Sequence, residues 1–294
     1  MTNTAILLST FNGEKFLSQQ LDSILQQDYN DFILYVRDDC SIDSTMEILL
    51  SYQRKFDNII ILDNNNLRLG AKSSFYYLLK NVEAKFYFFC DQDDIWKRDK
   101  MSLQIDKIES LDHISNLPIV IFHDLSLINE SSDLICDSFW ERHKFQFNNI
   151  NLDSFYVQNK ITGCTCLINE SMKMNMLKFN PDDILMHDHV ISLIAYGFGK
   201  AICMSSKLVL YRDHNSSVTS KTSVSYHFRF FNFLNNLNRY NYLHSHINQL
   251  DAYLKLFGKN LKEKEVNNIN RFISLRNVAP IFRFLSLKMY FNKS

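Results

Sequence analysis

The feature that most constrains the fold of this 294-residue chain is a rhythm confined to its first 125 positions. Five apolar runs of strand length, at 5–8, 33–36, 59–62, 86–90 and 119–122, are separated by stretches with helical spacing of apolar residues. Phe16, Leu17, Gln20, Leu21, Ile24 and Leu25 make one stripe; Ile48, Leu49, Tyr52 and Phe56 make a second. Phe75, Leu78 and Leu79 make a third, and Leu103, Ile105 and Ile108 belong to a fourth. A strand that is apolar along its whole length is buried on both faces. The alternation therefore predicts an α/β fold: a mostly parallel sheet with helices on both faces.

In such sheets ligands sit at the carboxyl ends of the strands, and the polar residues cluster where that rule puts them. Ser9-Thr10-Phe11-Asn12-Gly13 follows the first run, Arg37-Asp38-Asp39 the second, and Asp91-Gln92-Asp93-Asp94 the fourth. Beyond the fifth run, 126–161 is polar and irregular. Residues 161–168 read as another strand, 187–196 as a helix ended by Gly197, and 201–204 with 207–211 as a closing strand pair. After about residue 225 the pattern changes to long aromatic-rich helices, which sets a boundary there.

Composition narrows the function classes. The 32 basic and 32 acidic residues cancel, so no global field draws the chain to nucleic acid. The six cysteines form no C-x-x-C pair, and reduced thiols in the cytoplasm are expected. Residues 1–4 lack the basic start of a signal peptide, and no window approaches the ~18 apolar residues of a membrane span. The N-x-[ST] matches at Asn129, Asn169 and Asn215 are then expected to be chance. No G-x-G-x-x-G follows the first run and neither a P-loop nor a G-x-S-x-G elbow occurs, which removes the best warrant for a dinucleotide enzyme, an NTPase or a serine hydrolase.

The acidic segment after the fourth run carries the chemistry. Two carboxylates one residue apart at a strand end point the same way and repel, and a divalent cation relieves that. Oxygen ligands at this spacing suit Mn²⁺ or Mg²⁺, which can stabilise a departing diphosphate. A solvated acidic turn is the competing reading. Asp38-Asp39 is either a turn and cap before the helix that Ser41-Ile42-Asp43 begins, or an acceptor for a base N–H or a ribose hydroxyl. Arg68 and Lys72, flanking Gly70, form either a solvated turn or a diphosphate contact.

These pieces resemble the family 2 glycosyltransferases, which have a GT-A fold. The resemblance is carried by residues 7–13, by Gln20-Leu21-Asp22-Ser23-Ile24-Leu25-Gln26-Gln27, by residues 37–45 and by Asp91-Gln92-Asp93-Asp94-Ile95-Trp96. The D-Q-D-D-x-W form is similar to bacterial rhamnosyltransferase-like enzymes of surface polysaccharide (O-antigen or capsule) assembly. Residues 158–165, His187-Asp188-His189 and Tyr211-Arg212-Asp213-His214 agree with it, so it covers about residues 1–220.

The resemblance implies a transferase domain over 1–225, with a donor half at about 1–125 and an acceptor half at about 126–225, and a helical region at 226–294. It implies a nucleotide-sugar donor, dTDP-rhamnose favoured over a UDP-sugar, and a glycan or lipid-linked acceptor. Thr10, Asn12, Asp38 and Asp39 would hold the nucleoside, Asp91 would lie near ribose or donor sugar, and Asp94 would bind metal or sugar. Asp93 would be the principal metal ligand, with His214 completing the shell and Arg212 on the diphosphate. Asp188 would be the general base, with Gly163, His187 and His189 on the acceptor side. Capping of a helix and, less favoured, a zinc site compete for the His-Asp-His run.

Two positions depart from the family pattern: Cys40 stands where Gly is usual, and His189 where an aromatic is common. The tail segments 226–231 and 281–291 interleave aromatic and basic residues, as on a helix lying on anionic lipid at the inner membrane face. Core or homodimer packing is the other reading of them. Inversion at the anomeric carbon is the implied outcome. A sugar nucleotidyltransferase and a non-catalytic glycan-binding or scaffolding module are the competing functions.

Overall fold

The structure is a computed structural model that describes residues 3–111, 114, 116–148, 150–214 and 238–278, the last segment by backbone alone up to 242. Its strands β1 (Thr4–Thr10), β2 (Phe32–Asp38), β3 (Ile59–Ile61) and β4 (Phe86–Cys90) all run parallel, and all lie where the apolar runs predict them. The sheet continues through β5 (Ile95–Trp96), β6 (Ile119–Ile128), β7 (Leu134–Cys136), β8 (Leu167–Asn169) and β9 (Lys200–Arg212). The order is β3-β2-β1-β4-β8-β6-β9-β5, with β7 beside β6. The short β8 is antiparallel to both β4 and β6, and β9 is parallel to β6. The long strands β4, β6 and β9 therefore share the direction of β1, which makes the sheet mostly parallel with antiparallel insertions.

Alternation along each strand sorts the core onto two faces. Ile6, Leu8, Phe86, Phe88 and Cys90 pack with helices α1 (Leu17–Leu25), α2 (Thr45–Gln53) and α4 (Lys100–Glu109). Ala5, Leu7, Tyr87 and Phe89 face the other way. They meet α3 (Gly70–Asn81), α6 (Glu170–Met176) and α7 (His187–Gly197). A short helix α5 (Phe139–His143) follows β7. The polar stretch after the fifth run is thus less irregular than its composition suggests.

Helices α8 (Asn238–Phe257) and α9 (Glu263–Ile273) do not stand apart from this core. Leu243, Ile247, Leu250, Tyr253, Phe257, Ile269 and Phe272 are buried in the same cluster as α7. The Leu185 N–H donates to Gln249 Oε1 at 2.7 Å, and the Tyr253 hydroxyl to the Leu193 carbonyl at 2.9 Å. These helices brace α7. No helix among the described residues is long and apolar enough to cross a membrane. The aromatic-basic segments 226–231 and 281–291, and with them the lipid and homodimer readings, lie outside the described residues.

Two element assignments need correction. The expected strand pair at 201–204 and 207–211 is the single strand β9. Its partner register jumps from Met204 opposite His123 to Lys207 opposite Asp124, so Ser205-Ser206 is a bulge and not a turn. The expected strand at 161–168 is instead a 3₁₀ turn, Gly163–Thr165, followed by three residues of β8.

Candidate active site

The carboxyl ends of β1, β2, β4 and β9 deliver their polar residues to one edge, where two kinds of acidic group form. At the β2 end the carboxylates are satisfied. Asp38 Oδ1 accepts from the hydroxyls of Thr10 (2.9 Å) and Ser41 (2.5 Å), and its Oδ2 accepts from the Ser41 N–H at 2.8 Å. Asp39 Oδ1 pairs with Arg37 at 2.6 Å and accepts from the Leu69 N–H at 2.7 Å; its Oδ2 accepts from the Gly70 N–H at 2.8 Å. Burial pushes the Asp39 carboxyl up, but the Leu69, Arg37 and Gly70 donors outweigh it and hold it below the usual range.

Asp39 was expected to hold a nucleoside. Its carboxylate is instead turned inward, fastening β2 to the start of α3, and it is 3% exposed. Asn12 is exposed beside it, with its own Oδ1 accepting from the Ile42 N–H at 3.0 Å. Cys40 occupies the left-handed region at φ 64° that a Gly adopts without strain, and the N–H and hydroxyl of the following Ser41 both bond Asp38.

The β4 end is the opposite case. Burial, then the charges of Asp93 and Asp188, push the Asp91 carboxyl up to about 7. Burial, then Asp93 and Asp91, push Asp94 far above its ordinary value, against hydrogen bonds from the Arg212 N–H and the Cys164 thiol. Asp94 is fully buried, and its Oδ2 has no hydrogen-bond partner. Asp93 Oδ2 lies 2.7 Å from His214 Nε2, joining the β4 end to the residues after β9. Asp188, in the first turn of α7, is raised to about 6 by burial. The N–H groups of His189 and Gly163 and the Asn159 side chain limit the rise.

Crowded carboxylates with an orphaned buried oxygen fit a divalent cation, which would add to the positive charge of buried Arg212 and Lys100 nearby and of His214 beside Asp93 when protonated. Asp91, Asp94 and Cys164 bring donor atoms within 4.8 Å of one another. Asp91, Asp93 and Asp94 offer the hard oxygens that Mn²⁺ or Mg²⁺ prefers, with His214 adjoining.

Other expected contacts are redirected by packing. Arg212, expected on a diphosphate, is fully buried as an internal strut. It bonds the Asp93 carbonyl at 2.9 Å, the Asn129 carbonyl at 3.0 Å and Gln19 at 2.8 Å. His187 and His189, expected against an acceptor, point into the core. His187 lies between Phe75 and Phe89 at 4.3 and 4.7 Å between ring centroids, and burial lowers it to about 3. The Nε2 of His189 meets the Phe155 carbonyl at 2.5 Å. Gly163 is buried too, and a Cβ there would fall 2.5 Å from His187 Nε2. Lys72 donates to the Ile184 carbonyl at 3.0 Å, and exposed Arg68 lies 3.9 Å over the Phe11 ring.

Lys100, which no sequence motif singles out, is fully buried beneath the site. It bonds Gln104 at 2.9 Å and lies 4.0 Å over the Trp96 ring, and burial lowers it to about 8. Its signal was legible: a lysine on the same α4 face as Met101, Gln104, Ile105 and Ile108. Asn159 and Cys164 carry no signal of their own in the sequence, and only their contacts with Asp188 and Asp94 give them a role.

A mostly parallel sheet whose strand ends gather carboxylates at one edge has the architecture of an α/β enzyme. The family model described as "Glycosyl transferase family 2" matches residues 5–173, and the chain belongs to that family; it is a glycosyltransferase. The dTDP-rhamnosyl transferase RfbG of Shigella flexneri is 27% identical over 221 residues, covering 71% of this chain and 72% of that protein. The UDP-Glc:alpha-D-GlcNAc-diphosphoundecaprenol beta-1,3-glucosyltransferase WfgD of Escherichia coli is 27% identical over 224 residues, covering 74% and 79%. The solved structure of S. aureus TarS aligns with a TM-score of 0.59 at 17% identity, covering 93% of this chain and 43% of TarS. TarS 1–349 in complex with UDP-GlcNAc aligns at 0.55 and 20% identity, covering 92% and 81%. The sheet and its helices are thus of the GT-A type.

Proposed function

We propose that this glycosyltransferase moves a sugar, with inversion, from a nucleoside-diphosphate donor to a lipid-linked or glycan acceptor in surface polysaccharide assembly. Rhamnose from dTDP-rhamnose is the favoured donor, after RfbG, and a UDP-sugar, after WfgD, is the other. The observation that carries this reading is the convergence of Asp91 and Asp93, after β4, with Asp188 of α7, the charges of Asp93 and Asp188 both bearing on Asp91.

Asp188 is the general base. Its carboxylate is held by the Asn159 side chain and two backbone N–H groups, and a value near 6 leaves it ionised at neutral pH yet more basic than a free aspartate. It takes the proton of the acceptor hydroxyl as that oxygen attacks the anomeric carbon. The loop from Thr10 to Asn12, with Asp38 beneath it, would hold the nucleoside; Arg68 lies over Phe11 of that loop, and Arg68 and Lys72 would contact the diphosphate. Asp91, Asp93, Asp94 and His214 would hold Mn²⁺ or Mg²⁺, which when bound supplies Lewis-acid stabilisation of the leaving diphosphate. Arg212 keeps the Asp93 main chain in place for this.

The test is a product assay across dTDP-rhamnose, UDP- and GDP-sugars with Mn²⁺. Release of nucleoside diphosphate with sugar appearing on an acceptor is the expected result, lost on chelation. Release of pyrophosphate would make the chain a nucleotidyltransferase, and sugar binding with no turnover by any donor would make it a binding module.

A further inference from the structure

Between the acidic residues of the β4 end stands one uncharged side chain, Gln92, and it points away from them to another strand. Gln92 Oε1 accepts from the Phe11 N–H at 2.8 Å, and its Nε2 donates to the Phe11 carbonyl at 3.0 Å. One amide thus pairs with both main-chain groups of a residue 81 positions away, as a neighbouring strand would. The β1–β4 ladder ends at Leu8 opposite Cys90, so this side chain continues the pairing where the two main chains have separated.

Gly13 makes room for it. A Cβ at Gly13 would lie 2.4 Å from Gln92 Oε1 and 2.7 Å from its Cδ, closer than real Cβ contacts come. Gly13 is not among the residues at positive φ, so what favours glycine there is the space taken by the Gln92 amide and not the backbone angle. The Gly13 N–H donates to Thr45 Oγ1 at 2.7 Å, which fixes the same loop from its other side.

We infer that Gln92 is a positioning residue that sets the spacing between the Phe11–Asn12 loop and Asp91–Asp93, and so between the nucleoside and diphosphate ends of the donor. The inference rests on the donor-binding reading above. A donor of fixed length gains from contacts at both ends only when the protein holds those ends at the matching distance. Gln92 is the direct hydrogen-bonded tie between the two segments, and its loss leaves each end intact but unregistered.

The experiment is calorimetric titration of the full chain, at fixed Mn²⁺, with dTDP, UDP and pyrophosphate as probes. Gln92→Met, which keeps the length and removes both hydrogen bonds, is expected to weaken the preferred nucleoside diphosphate about tenfold while pyrophosphate changes less than about twofold. Gly13→Ala, which displaces the amide without altering it, is expected to give the same split, and thermal melts establish that each variant is folded. Unchanged nucleotide affinity in the folded variants overturns the inference, as does pyrophosphate weakening in parallel with the nucleotide. A wild-type chain that binds neither nucleoside diphosphate overturns the donor-binding reading instead.

Discussion

Asp38 and Asp39 end β2, Asp91 to Asp94 follow β4, and the two strands flank β1, yet their carboxylates live in opposite conditions. Around Asp39 an arginine, two backbone N–H groups and a serine converge, and the carboxyl is held below its ordinary value. Asp91 is crowded by Asp93 and Asp188, Asp94 by Asp93 and Asp91, and Asp188 is raised by burial, so all three are held above theirs. A carboxylate that its own fold has satisfied is scaffolding. One left short of positive charge by that fold is prepared for something that arrives from outside. The two segments look alike in sequence, so the distinction lies in their partners.

The comparison can be broken first at the scaffold. Asp39→Ala leaves Arg37 fully buried without its counter-charge, and the expected loss is about 3–5 kcal/mol of stability, read by urea unfolding. A loss below about 1 kcal/mol would show that Asp39 is not structural. Asp91→Asn, in contrast, removes a charge the fold does not want. It is expected to be neutral or slightly stabilising without added metal, and to abolish the gain in melting temperature that added Mn²⁺ is expected to give the wild type.

Acid and base should act on the two groups with opposite sign. A folded-state value near 7 for Asp91 and near 6 for Asp188, against about 4 unfolded, means the native state binds more protons across that interval. Their contribution is therefore fully present below about pH 4 and is lost as pH rises to about 7. Asp39 and Asp43, depressed in the fold, contribute above about pH 4 and lose that contribution as pH falls through their folded values. The expected result is a metal-free melting temperature that declines between about pH 5 and pH 7.5, with a shallower decline in Asp91→Asn. A flat profile would contradict the raised values. The smallest effect belongs to the turn itself: Cys40→Gly should stabilise by about 0.5 kcal/mol, because relief at φ 64° outweighs the looser unfolded chain.

Strands β1 to β4 and helix α7 were legible because their apolar runs are long and bounded by polar residues, and the edge they feed was legible from the strand-end rule. The bulge at Ser205-Ser206 was not, since two serines between apolar runs look the same whether the strand turns back or continues beside β6. Thr10, Asp38 and the acidic segment were legible as a cluster but not in their division of labour. Arg212 is neutralised as a ligand by carbonyls about 80 residues away and by Gln19, 193 residues away, and no local pattern records that. His187 and His189 misled for a related reason: polar residues flanking Asp188 suggest a shared surface. On a helix, however, neighbours in sequence face different ways, and here the flanking pair faces the core.

The measurement that bears most directly on the transfer centre is the rate of sugar transfer by Asp188→Asn at saturating donor and Mn²⁺, taken together with its affinity for the nucleoside diphosphate. Removing the base while keeping its shape is expected to slow transfer about a thousandfold and leave nucleotide affinity unchanged. Transfer at the wild-type rate would contradict the assignment of Asp188 as the base and, with it, the account of this acidic edge as the site of glycosyl transfer.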